Sequence, residues 1–314
     1  MYSRILEQIE KYDKITIFRH IRPDGDAMFS ALGLYTFLTD NYPDKSIKMA
    51  GFEKYDLISR NDNVSDKFIK ESLVFVTDTA TRQRADDDRF LLGSHIIKID
   101  HHPETDKYGS DNYVDPDASS TCELMTRILF SPTFEKHTIS KKTCKYLYCG
   151  MVTDSQNFKT SNTTCKTLQL ASQLIKKGEL IVGDLVSWVT DLDLNKFSLV
   201  TYIRSKIQVK DKFAYVIMEQ KELKKLNVSS DDAKIHINEL TSISDINIFA
   251  FAVENEKGTY DCSYRSKRKY VINDVAYEHG GGGHANAAAT RNIPYNEQMD
   301  IFNILIERST KDLK

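Results

Sequence analysis

An aspartate and two histidines stand together after an apolar run and offer three ligands for a metal ion or a phosphate group. They are Asp100, His101 and His102, which follow the strand-like run His95–Ile99 and precede Pro103. Because proline cannot continue a strand ladder, we expect the strand to end here and to present these side chains at its exit. Taken alone, a motif this short has an equally good explanation without a ligand. In that explanation one histidine caps the strand and the other faces water.

A second segment of this kind follows the apolar run Lys14–Phe18. It carries His20, Asp24 and Asp26, and the proline and glycine between them predict an irregular loop. One imidazole and two carboxylates in a single loop suit a divalent cation. A polar turn that caps the next helix would explain one aspartate but not the histidine as well, so the sequence favours a metal-binding loop.

Two more aspartates follow apolar segments. Asp78 ends the run Leu73–Thr77, and Asp154 comes after the predicted helix Ile139–Cys149. Taken alone, Asp154 is more often a cap or a turn residue than a ligand. The full set of recurring acids and imidazoles comprises His20, Asp24, Asp26, Asp78, Asp100, His101, His102 and Asp154.

The elements that must position this set are strands alternating with helices, which predicts an α/β fold with a mainly parallel sheet flanked by helices. Parallel strands end at one edge of their sheet, so the separate segments should converge there. Four of these carboxylates would repel one another if they gathered without cations, whereas two divalent ions balance their charge. The four are Asp24, Asp26, Asp78 and Asp154. Oxygen and imidazole ligands without thiolates favour Mn²⁺ or Mg²⁺, and paired ions of this kind assist in-line attack on phosphorus.

The carboxy-terminal part predicts a second, smaller α/β domain that begins near Asp211. Strong strand patterns cover Phe213–Met218 and Ile246–Val253, and Thr259–Arg265 should pair with the latter as a hairpin. Four glycines, Gly280 to Gly283, then precede His284, and we expect their backbone to approach an anion. The alanines that follow predict a helix.

The composition indicates a globular chain of modest charge in two domains. Its 314 residues carry a net charge of −2, with 40% hydrophobic residues and a pI near 6.5, which argues against binding of long duplex DNA. Five cysteines without a Cys-x-x-Cys pair indicate a reducing compartment and thiols in the core. No apolar run approaches the roughly 20 residues that span a bilayer, and the mixed charges of the first residues are unlike a signal peptide. We therefore expect a cytoplasmic protein without a membrane partner, with a catalytic domain at 1–187, a helical linker at 188–210 and a substrate-binding domain at 211–314.

The order and spacing of these motifs resemble the DHH phosphoesterase family with its associated C-terminal domain. The resemblance implies one ion held by His20, Asp24 and Asp78, and a second ion held by a set that shares Asp78: Asp26, Asp78, His101 and Asp154. It implies that Asp100 orients a histidine and that His102 touches the scissile phosphate. In the second domain it implies a binding site for a phosphate other than the scissile one, or for the 5′ end of the substrate. The residues of this site are Arg265, Gly281, Gly282, Gly283 and His284.

The activity implied by the resemblance is Mn²⁺-dependent hydrolysis of short oligoribonucleotides (nanoRNA), of 3′-phosphoadenosine-5′-phosphate (pAp), or of both, to mononucleotides. A cyclic- or linear-dinucleotide phosphodiesterase remains an alternative, and the resemblance leaves a homodimer open. Two positions depart from the family pattern, because Phe29 and Ala289 stand where glycines are usual. Phe29 could crowd the metal loop or narrow the pocket, which keeps open a nucleotide-binding regulator with an impaired centre.

Overall fold

The chain forms two compact units in the computed structural model, one that extends to Asp191 and one that begins at Leu192. The structure describes residues 2–267 and 269–311, without the side chains of residues 231, 232, 235, 238 and 284. The second unit thus already contains helix α8 (Leu194–Ser205), which the sequence placed in a linker. Among the described residues, no helix combines the length and the apolar character needed to cross a membrane.

The first unit is built on a parallel sheet of five strands, as far as the described residues show. The strand order is β2-β1-β3-β4-β5, and every neighbouring pair is parallel. The strands are β1 (Lys14–Phe18), β2 (Ser46–Met49), β3 (Leu73–Thr77), β4 (His95–Asp100) and β5 (Asp111–Val114). Strands β1, β3 and β4 are almost entirely buried, which explains their continuous apolar runs.

Helices cover both faces of this sheet. They are α1 (Ser3–Lys11), α2 (Gly25–Asn41), α3 (Asp66–Lys70), α4 (Thr121–Leu129), α5 (Lys141–Asp154), α6 (Cys165–Gly178) and α7 (Val182–Thr190). Side chains of the strands alternate between two cores. Ile97 and Ile99 of β4 face the core under α2, α4 and α5, whereas Ile96 faces the smaller core that includes Phe90 and Tyr108.

Helix α5 is longer than the sequence predicted. It runs from Lys141 through Gly150 to Asp154, whereas the expected helix ended at Cys149. Gly150 lies inside the helix because a Cβ there would stand 2.1 Å from Cys122 Sγ of α4. The glycine therefore permits close helix packing and does not end the helix, so Asp154 reaches the site from a helix and not from a strand exit.

The second unit contains a mixed sheet with the order β10-β11-β9-β8-β7-β6 in the part of it that is described. Its strands are β6 (Gln208–Lys210), β7 (Phe213–Met218), β8 (Ile248–Glu254), β9 (Tyr260–Ser266), β10 (Gly282–His284) and β11 (Ala287–Ile293). Its further helices are α9 (Gln220–Leu226), α10 (Ser230–Lys234), α11 (Asn238–Thr241), α12 (Asn273–Glu278) and α13 (Tyr295–Ser309). Strands β8 and β9 pair as the predicted antiparallel hairpin, with Glu254 opposite Tyr260.

The prediction of an alanine-rich helix after His284 is wrong. Residues Ala287–Ile293 form strand β11, which pairs with β9 and β10. Ala288 and Thr290 are buried while Ala289 is exposed, so the segment follows the period of a strand. Pairing on both sides thus overrides the high helix propensity of alanine.

All five cysteines are free thiols, and four of them are buried. Cys165 is exposed at the start of α6, so the prediction that every thiol belongs to the core is wrong for this residue.

Candidate metal centre

The predicted ligands gather at the carboxyl edge of the first sheet. The segments at the ends of β1, β3 and β4 supply all of them except Asp154, which lies at the end of α5. Strands β1 and β3 are neighbours although β2 lies between them in the sequence. This strand order has its topological switch point between β1 and β3, where open α/β sheets form a crevice for ligands. The fold therefore explains why loops far apart in the sequence meet there.

His20 is oriented by its own loop. Its Nδ1 lies 2.8 Å from the carbonyl oxygen of Ile21, which can only accept, so Nδ1 carries the hydrogen. The lone pair of the neutral ring is then on Nε2, which lies 3.8 Å from Asp24 Oδ2 and 3.5 Å from Asp78 Oδ2. A backbone partner on the far nitrogen is the usual arrangement of a metal-binding histidine.

Asp24 has the position of a helix cap as well as that of a ligand. Its carboxylate accepts a hydrogen bond of 3.0 Å from the backbone N–H of Ala27 at the start of α2. The other oxygen, Oδ2, is the one that faces His20. The capping alternative and the ligand prediction are therefore compatible.

Asp78 lies at the centre of the cluster. Its backbone has φ of 51°, in the left-handed region that costs free energy for a residue with a Cβ. Its carboxylate is buried, with Oδ2 toward His20 and Oδ1 3.6 Å from His101 Nε2. Thr121 Oγ1 donates to Oδ1 at 2.9 Å.

His101 mirrors His20. Its Nδ1 lies 3.3 Å from the carbonyl of Ala118, which leaves the lone pair on Nε2. That atom lies 3.5 Å from Asp154 Oδ2. Asp154 comes close because α5 packs tightly on α2, where a Cβ on Gly25 would stand 2.4 Å from Thr153 Oγ1.

Asp26 is fixed by the start of α4. Its two carboxylate oxygens accept the backbone N–H groups of Thr121 and Cys122, at 2.6 and 2.9 Å. This helix terminus, capped by Ser120, offers its backbone N–H groups to an anion, and the anion is Asp26 of the same chain. Each oxygen keeps a second lone pair, so these bonds leave Asp26 able to bind a cation.

Asp100 orients His102. The Nδ1–H of His102 donates to Asp100 Oδ1 at 2.8 Å, and the backbone N–H of His102 reaches the same oxygen at 3.2 Å. Nδ1 is therefore engaged although it also lies 3.6 Å from Asp78 Oδ1. The opposite ring nitrogen, Nε2, is therefore the atom that can contact a ligand or a substrate.

The electrostatics of the cluster reflect crowded negative charge. Burial raises the pKa of Asp154 to about 6, where His101 opposes the shift and Asp78 and Asp24 reinforce it. Burial also raises the pKa of Asp26 well above its ordinary value, and nearby carboxylates act in the same direction. Burial disfavours protonation of His20, yet its carboxylate neighbours raise its pKa to about 10. Protons or cations would therefore relieve the repulsion.

In the described part of the chain, three overlapping groups of side chains have the geometry to hold ions, and within each group the ligand atoms lie within 4.8 Å of one another. The groups are His20 with Asp24 and Asp78, Asp26 with His101 and Asp154, and Asp78 with His101 and His102. The donors are carboxylates and imidazoles, which suit Mn²⁺ or Mg²⁺. Donor set, mutual distances and excess negative charge all fit a pair of divalent cations.

Two side chains that the sequence analysis missed hold this arrangement together. Thr121 bonds to Asp78 through its hydroxyl and to Asp26 through its backbone. Lys98 is fully buried, and its ammonium lies 3.4 Å from Asp100 Oδ2. A lysine inside the apolar run before the acid was the available signal, because a buried ammonium needs partners.

The predicted substrate residues of the second unit lie on neighbouring strands. Arg265 stands opposite Ala287, which stands opposite His284, so the three occupy one row across β9, β11 and β10. The half-buried guanidinium donates to the carbonyl of Tyr264, and no carboxylate pairs with it among the described residues. Burial lowers the pKa of Arg265, which is the expected effect of desolvating an unpaired cation. The His284 side chain lies outside the described part of the structure.

The glycines before His284 have a steric role within the sheet. A Cβ on Gly281 would stand 2.1 Å from the carbonyl oxygen of Ala289, and one on Gly283 would stand 2.3 Å from that of Ala287. Gly283 also has φ of +138°. Close approach of β10 to β11 therefore requires glycine here, whereas contact of Gly281, Gly282 and Gly283 with a substrate stays a prediction.

Phe29 belongs to the hydrophobic core. It is fully buried on α2, and its ring packs against Tyr55, Tyr146 and Trp188 at centroid distances of 5.9, 6.1 and 5.5 Å. The side chain thus fills space between α2, α5 and α7. This placement removes the reason to connect Phe29 with an impaired centre.

With this fold and this cluster, the chain belongs to the DHH phosphoesterase family. The model of the DHH family, N-terminal domain, matches residues 14–151, and that of the DHHA1 domain matches residues 210–310. Two curated relatives share nearly the full length. The probable bifunctional oligoribonuclease and PAP phosphatase NrnA of Streptococcus mutans is 36% identical over 304 residues, which is 96% of each chain. The bifunctional oligoribonuclease and PAP phosphatase NrnA of Bacillus subtilis is 32% identical over 300 residues, or 95% of each chain.

A solved structure shares the fold of the whole chain. It is an exopolyphosphatase-related protein from Bacteroides fragilis, with a TM-score of 0.86 and 26% identity. The match covers 97% of this chain and 95% of the other. The predicted α/β fold with a smaller second α/β unit is confirmed.

Proposed function

We propose that the protein is a Mn²⁺-dependent hydrolase that converts short oligoribonucleotides, pAp, or both, to mononucleotides. The observation that carries the proposal is the overlap of three ligand groups through Asp78 and His101 at the switch point of the sheet. Relatives named oligoribonuclease and PAP phosphatase, matched over nearly their full length, support the substrate class.

One ion would be held by His20, Asp24 and Asp78, and a second by Asp26, Asp78, His101 and Asp154. A pair of divalent ions supplies Lewis acidity at the phosphorus and makes water a stronger nucleophile near neutral pH. The protein's own contribution begins with orientation, since the carbonyls of Ile21 and Ala118 fix the ring nitrogens of His20 and His101. Ligands fixed in advance lose little entropy when substrate and ions bind.

His102 would contact the scissile phosphate through Nε2. Because Nδ1–H is committed to Asp100 Oδ1, the ring cannot turn without breaking a hydrogen bond of 2.8 Å. Protonated on both nitrogens, it would donate to a phosphate oxygen and stabilise the charge that grows there. Burial opposes protonation of the ring, yet in the metal-free protein the hydrogen bond to Asp100 and the charge of nearby carboxylates raise the pKa of His102.

Arg265 would bind a further phosphate or the 5′ end of the substrate. A half-buried guanidinium without a carboxylate partner among the described residues is suited to a phosphate, which it can engage through two parallel hydrogen bonds. His284 would share this role, with the Gly281 to Gly283 backbone beside it.

The substrate class is tested by offering the purified protein, with Mn²⁺, five compounds at equal concentration. These are pAp, a ribodinucleotide, a five-residue RNA, a cyclic dinucleotide and pyrophosphate. We expect pAp or the short RNAs to give the highest kcat/KM and mononucleotides to be the products. A higher value for the cyclic dinucleotide would move the assignment to that alternative, and tight binding without turnover of any compound would favour the nucleotide-binding regulator.

The role of Arg265 is tested by Arg265→Ala, with Arg291→Ala as the control on the exposed part of neighbouring β11. We expect Arg265→Ala to raise KM for pAp at least about tenfold, as for loss of a charge-assisted hydrogen bond. Binding of Mn²⁺ should be unchanged, and Arg291→Ala should resemble the unmodified protein. Loss of metal from Arg265→Ala would contradict the proposed division of roles.

A further inference from the structure

Lys98 is a buried cation directly behind the proposed catalytic histidine. It lies on β4, and its side chain is fully buried. Burying an ammonium in an apolar core is costly unless partners compensate it. Ile96 on the same face of β4 is apolar, so Lys98 interrupts a hydrophobic surface. The fold retains a charge at a position where an aliphatic side chain would pack.

Backbone groups from two loops anchor the ammonium. Nζ donates to the carbonyl of Ala80 at 2.8 Å and to that of Asp106 at 3.2 Å. It also lies 4.7 Å from the ring centroid of Tyr108, within the range of a cation–π contact. With two acceptors and an aromatic face around it, the ammonium has little freedom to move.

The anchored ammonium faces Asp100. Residues 98 and 100 of a strand point to the same side of the sheet, and Lys98 Nζ lies 3.4 Å from Asp100 Oδ2. Within the described residues Oδ2 makes no hydrogen bond, so this charge is what stabilises it. The other oxygen, Oδ1, accepts the ring N–H of His102. Burial opposes ionisation of Asp100, but the bond from His102 and the charge of Lys98 lower its pKa.

We propose that Lys98 is a positioning residue that acts through Asp100 on His102. The ammonium holds one carboxylate oxygen, so the other stays on His102 Nδ1 and the ring keeps Nε2 toward the substrate. Without Lys98, no positive charge compensates the negative charge on the buried Oδ2 of Asp100. Rotation of the carboxylate toward another hydrogen-bond donor then lowers its free energy. The inference rests on the proposed function, because it needs a reaction in which His102 takes part.

The first test is the split between kcat and KM for pAp in Lys98→Met. We expect kcat to fall about tenfold or more, as for other residues that orient a catalytic group, with KM changed less than about threefold. Lys107→Met is the control, because Lys107 is an exposed lysine of the neighbouring loop that pairs with Glu104. It should leave both constants unchanged. A folded Lys98→Met with an unchanged kcat would overturn the proposal.

A double-mutant cycle separates positioning from general support of the fold. If Lys98 acts through His102, Lys98→Met should lower kcat less than about twofold in a His102→Ala background. A merely structural lysine would lower kcat by the same factor in both backgrounds, and that result would overturn the proposal.

A second pair of variants covers the case in which Lys98→Met does not fold. Removing both members of a buried ion pair is less destabilising than removing one, so Lys98→Met/Asp100→Asn should fold where the single variant does not. Its kcat should equal that of Asp100→Asn alone, and a further fall beyond about threefold would overturn the proposal. Absence of turnover by the unmodified protein would instead refute the proposed function, and the proposal about Lys98 with it.

Discussion

At the scale of single residues, the hydrogen-bond partners divide the histidines of the site into two kinds. His20 and His101 donate through Nδ1 to backbone carbonyls and turn Nε2 toward carboxylates, whereas His102 donates to Asp100. A backbone carbonyl fixes the tautomer of a neutral ring, whereas a carboxylate can also stabilise a protonated ring. The adjacent His101 and His102 therefore differ in their hydrogen-bond partners, although the sequence presents them as a pair, and this difference supports the distinct roles that we propose for them.

Asp78→Ala should abolish turnover of every substrate, because the side chain contributes to two of the three ligand groups. We expect a loss of at least about a thousandfold in kcat, together with loss of Mn²⁺ binding measured by calorimetry. Asp88→Ala, an exposed acid of the segment that follows β3, is the matched control. Retention of activity by Asp78→Ala would refute its bridging role.

His102→Ala should lower kcat about 10- to 100-fold. It should leave Mn²⁺ binding intact, because Nδ1 of His102 is hydrogen-bonded to Asp100 and is not free to bind an ion. His95→Ala provides a comparison at the other end of the same strand, where the ring pairs with Asp111 at 2.6 Å. It should leave kcat unchanged. Calorimetry with Mn²⁺ and steady-state rates with pAp measure both effects, and loss of metal from His102→Ala would make His102 a ligand instead.

At the scale of elements, the sequence was informative where a ligand follows a strand. Apolar runs that stop at Asp78 or Asp100 predicted strand exits, and the rule that parallel strands end at one edge predicted their convergence. The sequence was less informative where packing decides. Glycine is typical of helix ends, yet Gly150 lies inside α5. The alanines after His284 form strand β11 because two neighbouring strands offer hydrogen bonds.

Hydrogen bonds between residues that are distant in the sequence could not be predicted either. Thr121 bonds to Asp78 from 43 residues away, and no local pattern marks it. Lys98 was visible as a charge within an apolar run, but its partners Ala80 and Asp106 became evident only from the fold. Ligand types and their clustering could thus be predicted, whereas the groups that orient them could not.

Phe29→Ala should destabilise the first unit by about 3–5 kcal/mol, because it leaves a cavity where α2, α5 and α7 meet. Urea unfolding monitored by the fluorescence of Trp188, which packs against Phe29, measures the change. Phe52→Ala is the control, since that ring is 67% exposed and its loss should cost less than about 0.5 kcal/mol. An unchanged stability for Phe29→Ala, with an altered KM, would instead place Phe29 at the substrate pocket.

At the scale of the whole molecule, the clustered carboxylates couple stability to metal and to pH. The pKa of Asp154 is about 6 in the folded, metal-free protein, against roughly 4 in an unfolded chain. Between these values the folded state binds more protons, so the free energy of unfolding falls as pH rises. His20 acts in the same direction, because its folded pKa of about 10 exceeds the unfolded value of roughly 6.5.

The metal-free protein should therefore lose thermal stability between pH 5 and pH 8, and saturating Mn²⁺ should reduce or remove this loss. This pH range lies within the two intervals in which the folded state binds more protons than the unfolded chain, about 4–6 for Asp154 and about 6.5–10 for His20. Thermal unfolding of the protein in EDTA and in Mn²⁺ measures the effect, and Asp154→Asn should flatten the pH dependence in EDTA. A metal-free protein that becomes more stable toward pH 8 would contradict the electrostatic account.

The central claim is that acids and imidazoles from separate segments form one dinuclear centre. Crystals grown with Mn²⁺ and measured at the manganese absorption edge test it directly through anomalous scattering. We expect two peaks about 3.5–4 Å apart, with Asp78 between them and His20 and His101 on opposite sides. A single peak, or peaks away from Asp78, would contradict it.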